Sequence, residues 1–582
     1  MCHWRARVFE SDARATRAGW SFSKALGCVA VAFTALIVVA PTASAGPQVR
    51  IGLDFTGSTS VDRDPDPYGN PADTMGAVGP DHVVELLNGR YAVYDKHTGA
   101  LVASSSLVEF WSAAGVPPPE DYAFDPRLIY DRASQRWYAS SVDARTSDDA
   151  LVVAVSKGAD PTSGWTGFAI DPTPGASRWT DFPTLGVDAD GVYVALARAV
   201  AGTGAQIGTA VVVLPKADLL APLPSVSGAT IFTSSFDQTG FSPQLAVNLD
   251  VSGLPMPILS GDLAYLGQIQ AARIEGPVEA PSLVGGVLIP VDPADGPPDA
   301  AQPGPKLDLE TGGGPNVSFF GASTVLQNGS LWAVQGIKQD GRAAIRWFEL
   351  DPATNIVLDS GVIADPELAL YYPSIAVNEF DQAVIGFSGS SETTFVSAYA
   401  VAGERIGGAM TFGEPFLLQA GRSDYEQLDF KGRNRWGDYS ATVVDPSDPR
   451  RFWTFQEYAS AEDVWAVRIT ELIVTPAPEC SDGRDNDGDG KIDFDGGASA
   501  NHGVALGPPD PGCPFSEATT EKPQCDDGID NDGNGPIDFA DPKCSPTWPY
   551  WEAPPACGLG FELALFLPPL LWLNGRRRRM AV

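Results

Sequence analysis

The stretch Tyr372-Pro-Ser-Ile-Ala-Val-Asn378, followed after three residues by Gln382-Ala-Val-Ile-Gly-Phe387, places two short apolar runs on either side of a polar turn. Short runs rich in β-branched and aromatic residues are typical of β-strands, and the polar residues between them are typical of a hairpin turn. The same pattern begins again at Asp125, Phe182 and Tyr439, each time followed by a second apolar run. The repetition predicts antiparallel strand pairs throughout the body of the chain.

Several of the apolar runs are separated by pairs of residues that favour tight turns. These pairs include Asp190-Gly191, Asn328-Gly329 and Asp340-Gly341. They fit two-residue hairpins because Asp, Asn and Gly tolerate positive φ. We therefore expect a hairpin at each of them.

The strand pairs group into larger units, each with a lead strand, a turn, an aromatic-rich strand and a further strand that ends in a polar loop. Units begin near Gly76, Asp125, Asp181, Ser242, Pro315, Tyr372 and Trp436. Four short strands per unit, spaced by roughly 40 to 70 residues, are typical of a β-propeller. We predict an all-β propeller of about seven blades, in which Val49–Phe55 returns to complete the last blade. Six or eight blades, or two β-sandwiches in series, are the alternatives.

The body also resembles a broad group of exported bacterial proteins of propeller type. The phrases that carry the resemblance are Asp73-Thr-Met-Gly-Ala-Val-Gly-Pro-Asp81, Arg90-Tyr-Ala-Val-Tyr-Asp-Lys96, Asp125-Pro-Arg-Leu-Ile-Tyr-Asp131, Val155-Ser-Lys157 and Trp436-Gly-Asp-Tyr-Ser440. They span most of residues 50–474. The resemblance implies a fold and no particular reaction.

The region from Cys480 to Cys544 carries one Asp-rich unit twice. The first copy reads C-S-D-G-R-D-N-D-G-D-G-K-I-D-F-D from Cys480, and the second reads C-D-D-G-I-D-N-D-G-N-G-P-I-D-F-A-D-P-K-C from Cys525. Calcium takes about six to eight oxygen ligands, and a tight loop supplies them from alternate positions. The candidate ligands are Asp485, Asp487, Asp489, the Lys491 carbonyl, Asp493 and either Asp495 or Asp510 in the first copy, and Asp530, Asp532, Asn534, the Pro536 carbonyl, Asp538 and Asp541 in the second. The predicted cofactor is therefore calcium.

The first copy has Gly496 where the second has Asp541, so we expect its site to be weaker or to recruit water. Neither copy is a plain EF-hand, because the Glu of the twelfth loop position and the flanking amphipathic helices are missing. The Cys-bracketed units resemble thrombospondin type 3 repeats, and more closely the D-N-D-G-D-G repeats of secreted bacterial surface proteins. The alternative is an acidic, flexible linker.

The chain contains 7 Cys. Four of them pair naturally within the repeats, as Cys480–Cys513 and Cys525–Cys544, and such bridges stabilise small Asp-rich loops that have almost no core. Cys557 is left over in the mature chain, and an odd Cys in an exported protein requires its own explanation.

Residues 1–45 have the features of a secretory signal, with basic residues, an apolar run and the cleavage motif Ala43-Ser44-Ala45. An uncleaved membrane anchor is the alternative. The formal net charge of −35 argues against nucleic acid as a partner and against simple adsorption to anionic lipid. We expect an exported protein, at the outer membrane or cell surface or secreted.

The tail, residues 548–582, begins with a Pro-rich spacer and continues with Cys557, an apolar run from Phe561 to Leu573 and the cluster Arg576–Arg579. This order resembles the C-terminal sorting signals of Gram-negative bacteria, in particular the Cys-containing myxobacterial type. The resemblance implies cleavage by a sorting protease and attachment through Cys557. The run of roughly 13 residues is short of the ~20 needed to span a bilayer, and an ordinary C-terminal transmembrane helix is the alternative.

The body contains no zinc-protease motif and no nucleophile elbow, and its His82 and His97 are expected at the surface. The segment Ser156–Trp165 loosely resembles the Asp-box turn of sialidases, which is structural. Asp181, Arg127, Asp438 and Arg435 stand beside aromatic strands and could face a central channel, but an Asp beside a turn usually caps backbone N–H groups. We therefore assign no catalytic residue.

These observations predict a signal peptide (1–45), a propeller (46–475), two calcium-binding repeats forming a stalk (476–547) and a sorting tail (548–582). The leading hypothesis is a binding or adhesion module for an extracellular carbohydrate or protein. The alternatives are a secreted hydrolase, such as a sialidase-like glycoside hydrolase with its site in the propeller channel, and a structural surface-layer protein. Acids and an Arg converging on one channel mouth would favour the enzyme, whereas an exposed aromatic rim would favour binding.

Overall fold

The computed structural model describes residues 47–62, 71–117, 122–143, 150–174, 178–200, 205–250, 255–261, 267–314, 317–318, 324–406, 408–429, 431–476, 478–486, 488, 490–498, 504–513, 521, 536–537 and 540. The chain divides into two compact units, Met1–Thr42 and Ala43–Val582, and all of the described residues belong to the second. The predicted signal, most of the second Asp-rich repeat and the tail lie outside the described residues.

The described body is built almost entirely of β-strands, as the sequence predicts. The strands are β1 (Gln48–Thr59), β2 (Met75–Val78), β3 (His82–Leu87), β4 (Arg90–Asp95), β5 (Leu101–Ser105), β6 (Ala123–Asp131), β7 (Arg136–Asp143), β8 (Ala150–Ser156), β9 (Trp165–Ile170), β10 (Arg178–Val187), β11 (Gly191–Val200), β12 (Gln206–Pro215), β13 (Thr230–Ser234), β14 (Phe241–Asn248), β15 (Met256–Gly261), β16 (Gln268–Glu275), β17 (Ser282–Pro290), β18 (Gly313–Gly314), β19 (Val317–Ser318), β20 (Thr324–Gln327), β21 (Ser330–Gln339), β22 (Arg342–Asp351), β23 (Ile356–Ile363), β24 (Ala369–Val377), β25 (Gln382–Ser391), β26 (Thr394–Ile406), β27 (Ala409–Phe412), β28 (Phe416–Gln419), β29 (Ala441–Val444), β30 (Arg451–Ala461) and β31 (Val464–Thr475).

The helices in the described residues are short. They are α1 (Leu107–Ala113), α2 (Lys216–Leu219) and α3 (Phe236–Thr239), with single 3₁₀ turns at Pro161–Ser163 and Glu479–Ser481. Within the described part of the chain, none of them has the length and apolar character that crossing a bilayer requires.

Consecutive strands pair in antiparallel sets of four. The sets are β2-β3-β4-β5, β6-β7-β8-β9, β10-β11-β12-β13, β14-β15-β16-β17, β20-β21-β22-β23, β24-β25-β26-β27 with β28 also beside β26, and β29-β30-β31-β1. The innermost strands contact one another in a closed order, which runs β2, β6, β10, β14, β20, β24, β29 and back to β2. Neighbouring innermost strands run parallel where they pair, as β14 does with β10 and β20. Four-stranded sets repeated in such an order are the topology of a β-propeller.

The last set is completed by the first strand of the described chain. β1 pairs antiparallel with β31, from Gln48 opposite Thr475 to Thr59 opposite Ala466. Asp54 strengthens the pairing, because its carboxylate accepts hydrogen bonds from Arg468 Nε at 2.7 Å and from Thr470 Oγ1 at 2.9 Å. This is the return that the sequence predicts for Val49–Phe55.

Two of the three predicted turn pairs form hairpins with left-handed backbone. Asn328 and Gly329 have φ of 54° and 76°, and Asp340 and Gly341 have φ of 49° and 85°. The turn at Asp190-Gly191 differs, because Asp188 organises it. The Asp188 Oδ1 accepts the amides of Asp190 at 2.8 Å and Gly191 at 2.7 Å, which is an Asx-type turn and needs no positive φ.

Four innermost strands carry the same irregularity close to their starts. Asp125, Phe182, Ser242 and Tyr372 have φ between 50° and 52°. Each precedes a Pro and lies where the register with the next strand shifts. A non-glycine residue in the left-handed region costs on the order of 1–3 kcal/mol, and such strain collects at functional sites. These β-bulges turn side chains at the starts of the innermost strands away from the regular pleat.

The tryptophans fill the space between the sheets. Trp111, Trp137, Trp332, Trp436, Trp453 and Trp465 are among the largest side chains that are fully buried. Of the others in the body, Trp165 and Trp347 are also buried, and Trp179 is half-buried. The tryptophans therefore act mainly as core residues in the described body.

The contact between the first and last sets gives a stability prediction. A Cβ at Gly76 of β2 would lie 2.3 Å from ring carbons of Phe455 of β30, so Gly76→Ala overpacks this junction. We expect it to lower the free energy of unfolding by about 1–3 kcal/mol, with a lower Tm in calorimetry. The matched control is Gly158→Ala, whose new Cβ would meet nothing closer than 3.7 Å. Equal Tm values for the two variants would contradict the packing argument.

Candidate functional site

Six acidic side chains gather where the innermost strands begin. Asp73 precedes β2, Asp125 lies in β6, Asp181 lies in β10, Asp438 precedes β29, Glu310 belongs to the long connection after β17, and Glu457 lies in β30. Parallel innermost strands place their starting ends side by side, which is why residues so distant in sequence meet here. We call this group the carboxyl cluster.

Asp73, Asp125 and Asp181 form a hydrogen-bonded row. The Asp125 side chain is hydrogen-bonded to the side chains of both Asp73 and Asp181. Asn88 fixes one end of the row, because its Nδ2 donates to Asp73 Oδ2 at 2.7 Å and its Oδ1 accepts the Asp125 amide at 2.9 Å. The Phe182 amide donates to Asp125 Oδ2 at 3.1 Å.

Burial raises the pKa of every acid in the row. Burial, and then the nearby charge of Asp438, raises the pKa of Asp73 well above its usual range. Burial and the charges of Asp125 and Asp438 do the same to the pKa of Asp181. The pKa of Asp125 is raised by burial and by Asp438, but the hydrogen bonds from Asp73 and Asp181 lower it. Asp73 and Asp181 are therefore the proton donors and Asp125 is the acceptor between them.

On the other side of the cluster, Arg435 joins two acids. Its Nη2 donates to Asp438 Oδ1 at 2.6 Å, and its Nε lies 3.2 Å from Glu310 Oε2. Arg433 Nη1 lies 3.2 Å from the second Glu310 oxygen. The Tyr372 hydroxyl, at a bulge, donates to Glu310 Oε2 at 3.2 Å. Burial and then Asp438 raise the pKa of Glu310, while the two arginines lower it.

Arg127 lies beneath the row and supports it. The side chain is 1% exposed, and its guanidinium carbon is 3.5 Å from the centroid of the Tyr439 ring and 5.0 Å from that of Phe182. Its Nε donates to the Pro183 carbonyl at 2.7 Å. A cation between aromatic faces with a carbonyl partner is well satisfied, so Arg127 ties β6 to β10 and β29 and has a positioning role.

Exposure increases from Asp73 towards Asp438. Asp73 is 1% exposed, Asp181 is half-buried, and the Asp438 and Arg433 side chains are 27% and 42% exposed. At this side of the cluster, the segment that carries Glu310 packs against the segment that carries Arg435, and Leu309 forms a β-bridge with Asn434. The cluster therefore has a buried, protonated side and a side that faces solvent.

Glu457 is buried beside the cluster. Its Oε1 accepts a hydrogen bond from Thr74 Oγ1 at 2.6 Å, and burial raises its pKa to about 8. The side chain lies under the turn at Gly437, next to Asp438. At neutral pH most of Glu457 is therefore uncharged in the folded protein.

The four polar residues singled out from the sequence, Asp181, Arg127, Asp438 and Arg435, meet in this cluster. The sequence reasoning missed several partners, which are Asp73, Asn88, Asp125, Glu310, Tyr372, Arg433, Tyr439 and Glu457. A signal existed for Asp125 and Tyr372, because both precede the Pro of a repeated phrase. As expected, His97 is exposed, whereas His82 is half-buried at the start of β3.

The first Asp-rich repeat is closed by the predicted disulfide. Cys480 and Cys513 are bonded, with their Cα atoms 5.3 Å apart. Between them the loop folds around Asp485, whose Oδ1 accepts the Gly488 amide at 2.7 Å and whose Oδ2 accepts the Gly490 amide at 2.9 Å. Position 1 of the predicted calcium loop is thus at the centre of a tight turn.

The later predicted ligands of this repeat are largely buried. Asp493 is fully buried, and its Oδ2 accepts the Gly483 amide at 2.8 Å. Its Oδ1 is buried without a hydrogen-bond partner among the described residues. Burial, with further contributions from Asp482 and Glu521, raises the pKa of Asp493 to about 7. An orphaned buried carboxylate oxygen among acids fits a hard divalent cation such as calcium.

The remaining predicted calcium ligands differ in burial, and several of them lie outside the described residues. Lys491 and Asp495 are half-buried and Asp510 is buried, with its Oδ1 accepting the Gly512 amide at 2.6 Å. Pro536 is half-buried. Outside the described residues lie Asp487, Asp489, Asp530, Asp532, Asn534, Asp538, Asp541, Cys525, Cys544 and Cys557. Glu521, which the sequence reasoning missed, is fully buried against the first repeat.

No protein-family model matches the chain, and no curated protein matches it. Among solved structures, the α-L-arabinofuranosidase Arb93A of Fusarium graminearum is 7% identical over 73% of this chain and 98% of its own, with a TM-score of 0.36. The hemagglutinin-neuraminidase ectodomain of parainfluenza virus 5 is 9% identical over 74% and 85%, with a TM-score of 0.35. A hypothetical selenium-binding protein of Sulfolobus tokodaii is 10% identical over 64% and 82%, with a TM-score of 0.34. TM-scores this low carry no argument about this chain.

The raised pKa of Glu457 gives a pH prediction. Because the folded value of about 8 exceeds the unfolded value of 4.5, the folded state binds the proton more tightly. Its contribution to stability is complete below pH 4.5 and is lost as the pH rises towards 8, by up to about 1.4 kcal/mol per pH unit. Glu457→Gln cannot ionise, so its Tm should rise relative to wild type between pH 5 and pH 8.

The control for this experiment is Glu279→Gln, at an exposed position. Its Tm difference from wild type should be the same at both pH values. A constant difference for Glu457→Gln as well would show that Glu457 ionises in the folded protein as it does in water.

Proposed function

We propose that the protein is a glycoside hydrolase and that the carboxyl cluster is its active site. The observation that carries the proposal is the convergence of acids at one place: the hydrogen-bonded row of Asp73, Asp125 and Asp181 lies next to Asp438, whose Oδ1 is 2.6 Å from Arg435 Nη2. Burial, and then the nearby charge of Asp438, raises the pKa of Asp73 and Asp125. Glycoside hydrolysis uses two carboxyl groups in different protonation states around the scissile bond, and such a pair arises where neighbouring acids cannot all ionise.

Asp181 is the general acid in this proposal. It is half-buried and is the most exposed member of the row, and burial, followed by the charges of Asp125 and Asp438, raises its pKa, which favours the protonated form. The hydrogen bond to Asp125 orients the carboxyl group, and the αL conformation of Phe182 next to it fixes the local backbone. A proton held in this way can pass to the oxygen of the departing alcohol.

Asp438 is the general base. The Arg435 guanidinium fixes the position of its side chain, with 2.6 Å between Nη2 and Oδ1. The carboxylate is partly exposed, so it can take a proton from water as the water oxygen bonds to the anomeric carbon. The glycosidic bond breaks, the leaving oxygen receives the Asp181 proton, and the products are a free sugar and an alcohol.

The adhesion hypothesis rests on exposed aromatic side chains, and the described body supports it less well. Trp111, Trp332, Trp436, Trp453 and Trp465 are fully buried in the core. Trp165 and Trp347 are 8% and 5% exposed. What converges at the starts of the innermost strands is instead a set of acids with two arginines, which is the arrangement expected of an enzyme.

Substitution of the two acids tests the proposed chemistry. Asp438→Asn and Asp181→Asn should each lower kcat about 10²–10⁴-fold, with a smaller change in KM. The two roles predict different responses to the leaving group of the substrate. Asp181→Asn should lower kcat only weakly for nitrophenyl glycosides, whose leaving oxygen needs little protonation, and strongly for alkyl glycosides. Asp438→Asn should lower kcat equally for both kinds of substrate.

Asp340→Asn is the matched control, because Asp340 is exposed in a hairpin turn whose positive φ Asn also tolerates. The measurement is release of nitrophenol or free sugar across a panel of glycosides. If wild-type protein cleaves none of them, or if Asp438→Asn retains the wild-type rate, the hydrolase proposal is wrong.

We propose further that the two Asp-rich repeats bind calcium. Support comes from the loop folded around Asp485 and from the orphaned, buried Oδ1 of Asp493. Bound calcium would compensate the charge of these acids and hold the loop closed, and removal of the ion should therefore loosen the repeats.

Calorimetric titration of the full-length chain with calcium checks this proposal. We expect two sites, and a thermal transition of the repeats that moves to lower temperature when a chelator is present. The transition of the body should not move. Absence of any heat of calcium binding together with an unchanged melt would leave only an acidic linker after β31.

The other expectations also stay proposals. Export through residues 1–45 agrees with the Cys480–Cys513 disulfide, since such bonds persist in oxidising compartments. The closed order of the innermost strands supports a count of seven blades. Anchoring through Cys557, after cleavage of the tail by a sorting protease, concerns residues outside the described ones.

A further inference from the structure

The first Asp-rich loop lacks an acid at its twelfth position, where Gly496 stands, although that position normally supplies two oxygens to calcium. The structure brings another acid to the loop from beyond the disulfide. Glu521 follows Cys513 in the chain and returns to the loop, where it is completely buried. Burying a carboxylate costs free energy unless a hydrogen-bond donor or a cation compensates its charge. The groups around Glu521 therefore indicate what compensates it.

Glu521 is held across the loop by backbone amides. Its Oε1 accepts the Asp493 amide at 2.8 Å, and its Oε2 accepts the Asn486 amide. The Glu521 amide in turn donates to Glu479 Oε2 at 3.1 Å. The carboxylate thus spans positions 2 and 9 of the loop, and each oxygen keeps lone pairs for a further partner.

Other buried carboxylate oxygens lie near it. Ligand atoms of Glu521 and Asp510 are within 4.8 Å of each other, which suits two oxygens bound to one calcium at about 2.3–2.6 Å. The Cys513 sulfur belongs to the same group, but it is in the disulfide and is no thiolate ligand. Asp493, whose amide donates to Glu521, also carries a buried Oδ1 that has no hydrogen-bond partner among the described residues.

We propose that Glu521, together with Asp510, completes the calcium site of the first repeat and replaces the missing acid of position 12. The inference rests on the proposed binding of calcium by the repeats. The ligands are all carboxylate or carbonyl oxygens, which select a hard cation. The first site is then closed by a residue from beyond Cys513, and the Cys480–Cys513 disulfide joins the two ends of the loop.

The test is calorimetric titration of the full-length chain with calcium alone, for wild type, Glu521→Gln, Asp510→Asn, Asp485→Asn and the control Glu462→Gln. Asp485→Asn identifies the heat that belongs to the first site. We expect Glu521→Gln and Asp510→Asn to weaken that site at least tenfold and to leave the other site unchanged. Glu462→Gln, which changes an exposed side chain of the body, should match wild type.

The outcomes separate the two proposals. If wild type binds no calcium, binding by the repeats is wrong. If wild type binds and Asp485→Asn loses the first site while Glu521→Gln and Asp510→Asn bind like wild type, only the inference about Glu521 is wrong. Mass spectrometry of the Cys480–Cys513 disulfide reports whether Glu521→Gln folds, and if it does not, Asp510→Asn alone decides.

Discussion

The pairing of β1 with β31 is the interaction on which the rest of the body depends. In a ring of four-stranded sets, the last set is complete only when it receives its fourth strand from the start of the described chain. β1 also contacts the first set beyond this pairing. The Ser58 amide and hydroxyl donate to buried Glu85 of β3 at 3.0 and 2.7 Å, and Tyr94 of β4 donates to the same carboxylate at 2.6 Å. One strand thus joins the two ends of the fold.

Closure of the strand order brings the starts of the innermost strands close together at the centre of the fold. The innermost strands start at the same end, and four of them start with a left-handed residue before a Pro. Packing and hydrogen bonds compensate the strain of these bulges. The bulges direct polar side chains towards one another. Their acids lie close together and share a few cations, so burial and mutual repulsion raise the pKa of Asp73 and Asp181. These raised pKa values are a consequence of the topology.

Local pattern predicted the parts of the structure that depend on neighbours in sequence. The strand–turn–strand phrases, the Asn328-Gly329 turn and the Cys480–Cys513 bridge each need only a short segment or a spacing to be recognised. The return of Val49–Phe55 was predicted from fold type and confirmed by its pairing with β31. The turn at Asp190-Gly191 was predicted less well, because the side chain of Asp188 organises its backbone amides.

The carboxyl cluster was harder to predict from the sequence than the strands and turns, for a physical reason. Asp181 and Asp438 could be suspected from their aromatic neighbours, but an Asp that precedes a turn more often caps the backbone, and the two uses look alike in one sequence. Glu310 carries no local signal, since its partners Arg435 and Tyr372 are distant in the chain. The protonation states arise from burial and mutual repulsion, which only the assembled fold supplies.

The described part of the first repeat contacts one of the sheets of the body. Arg484, next to the first predicted calcium ligand, donates to the carbonyl of Arg405 in β26. Arg405 itself pairs with Glu349 of β22, in the neighbouring set, at 2.8 Å, and with Asp381, in the turn before β25 of its own set, at 3.4 Å. Asp485, whose carboxylate accepts the Gly488 and Gly490 amides, follows Arg484 directly in the chain. The turn of the first Asp-rich loop therefore begins next to a residue that contacts β26, so the position of Arg484 depends both on its own loop and on the body.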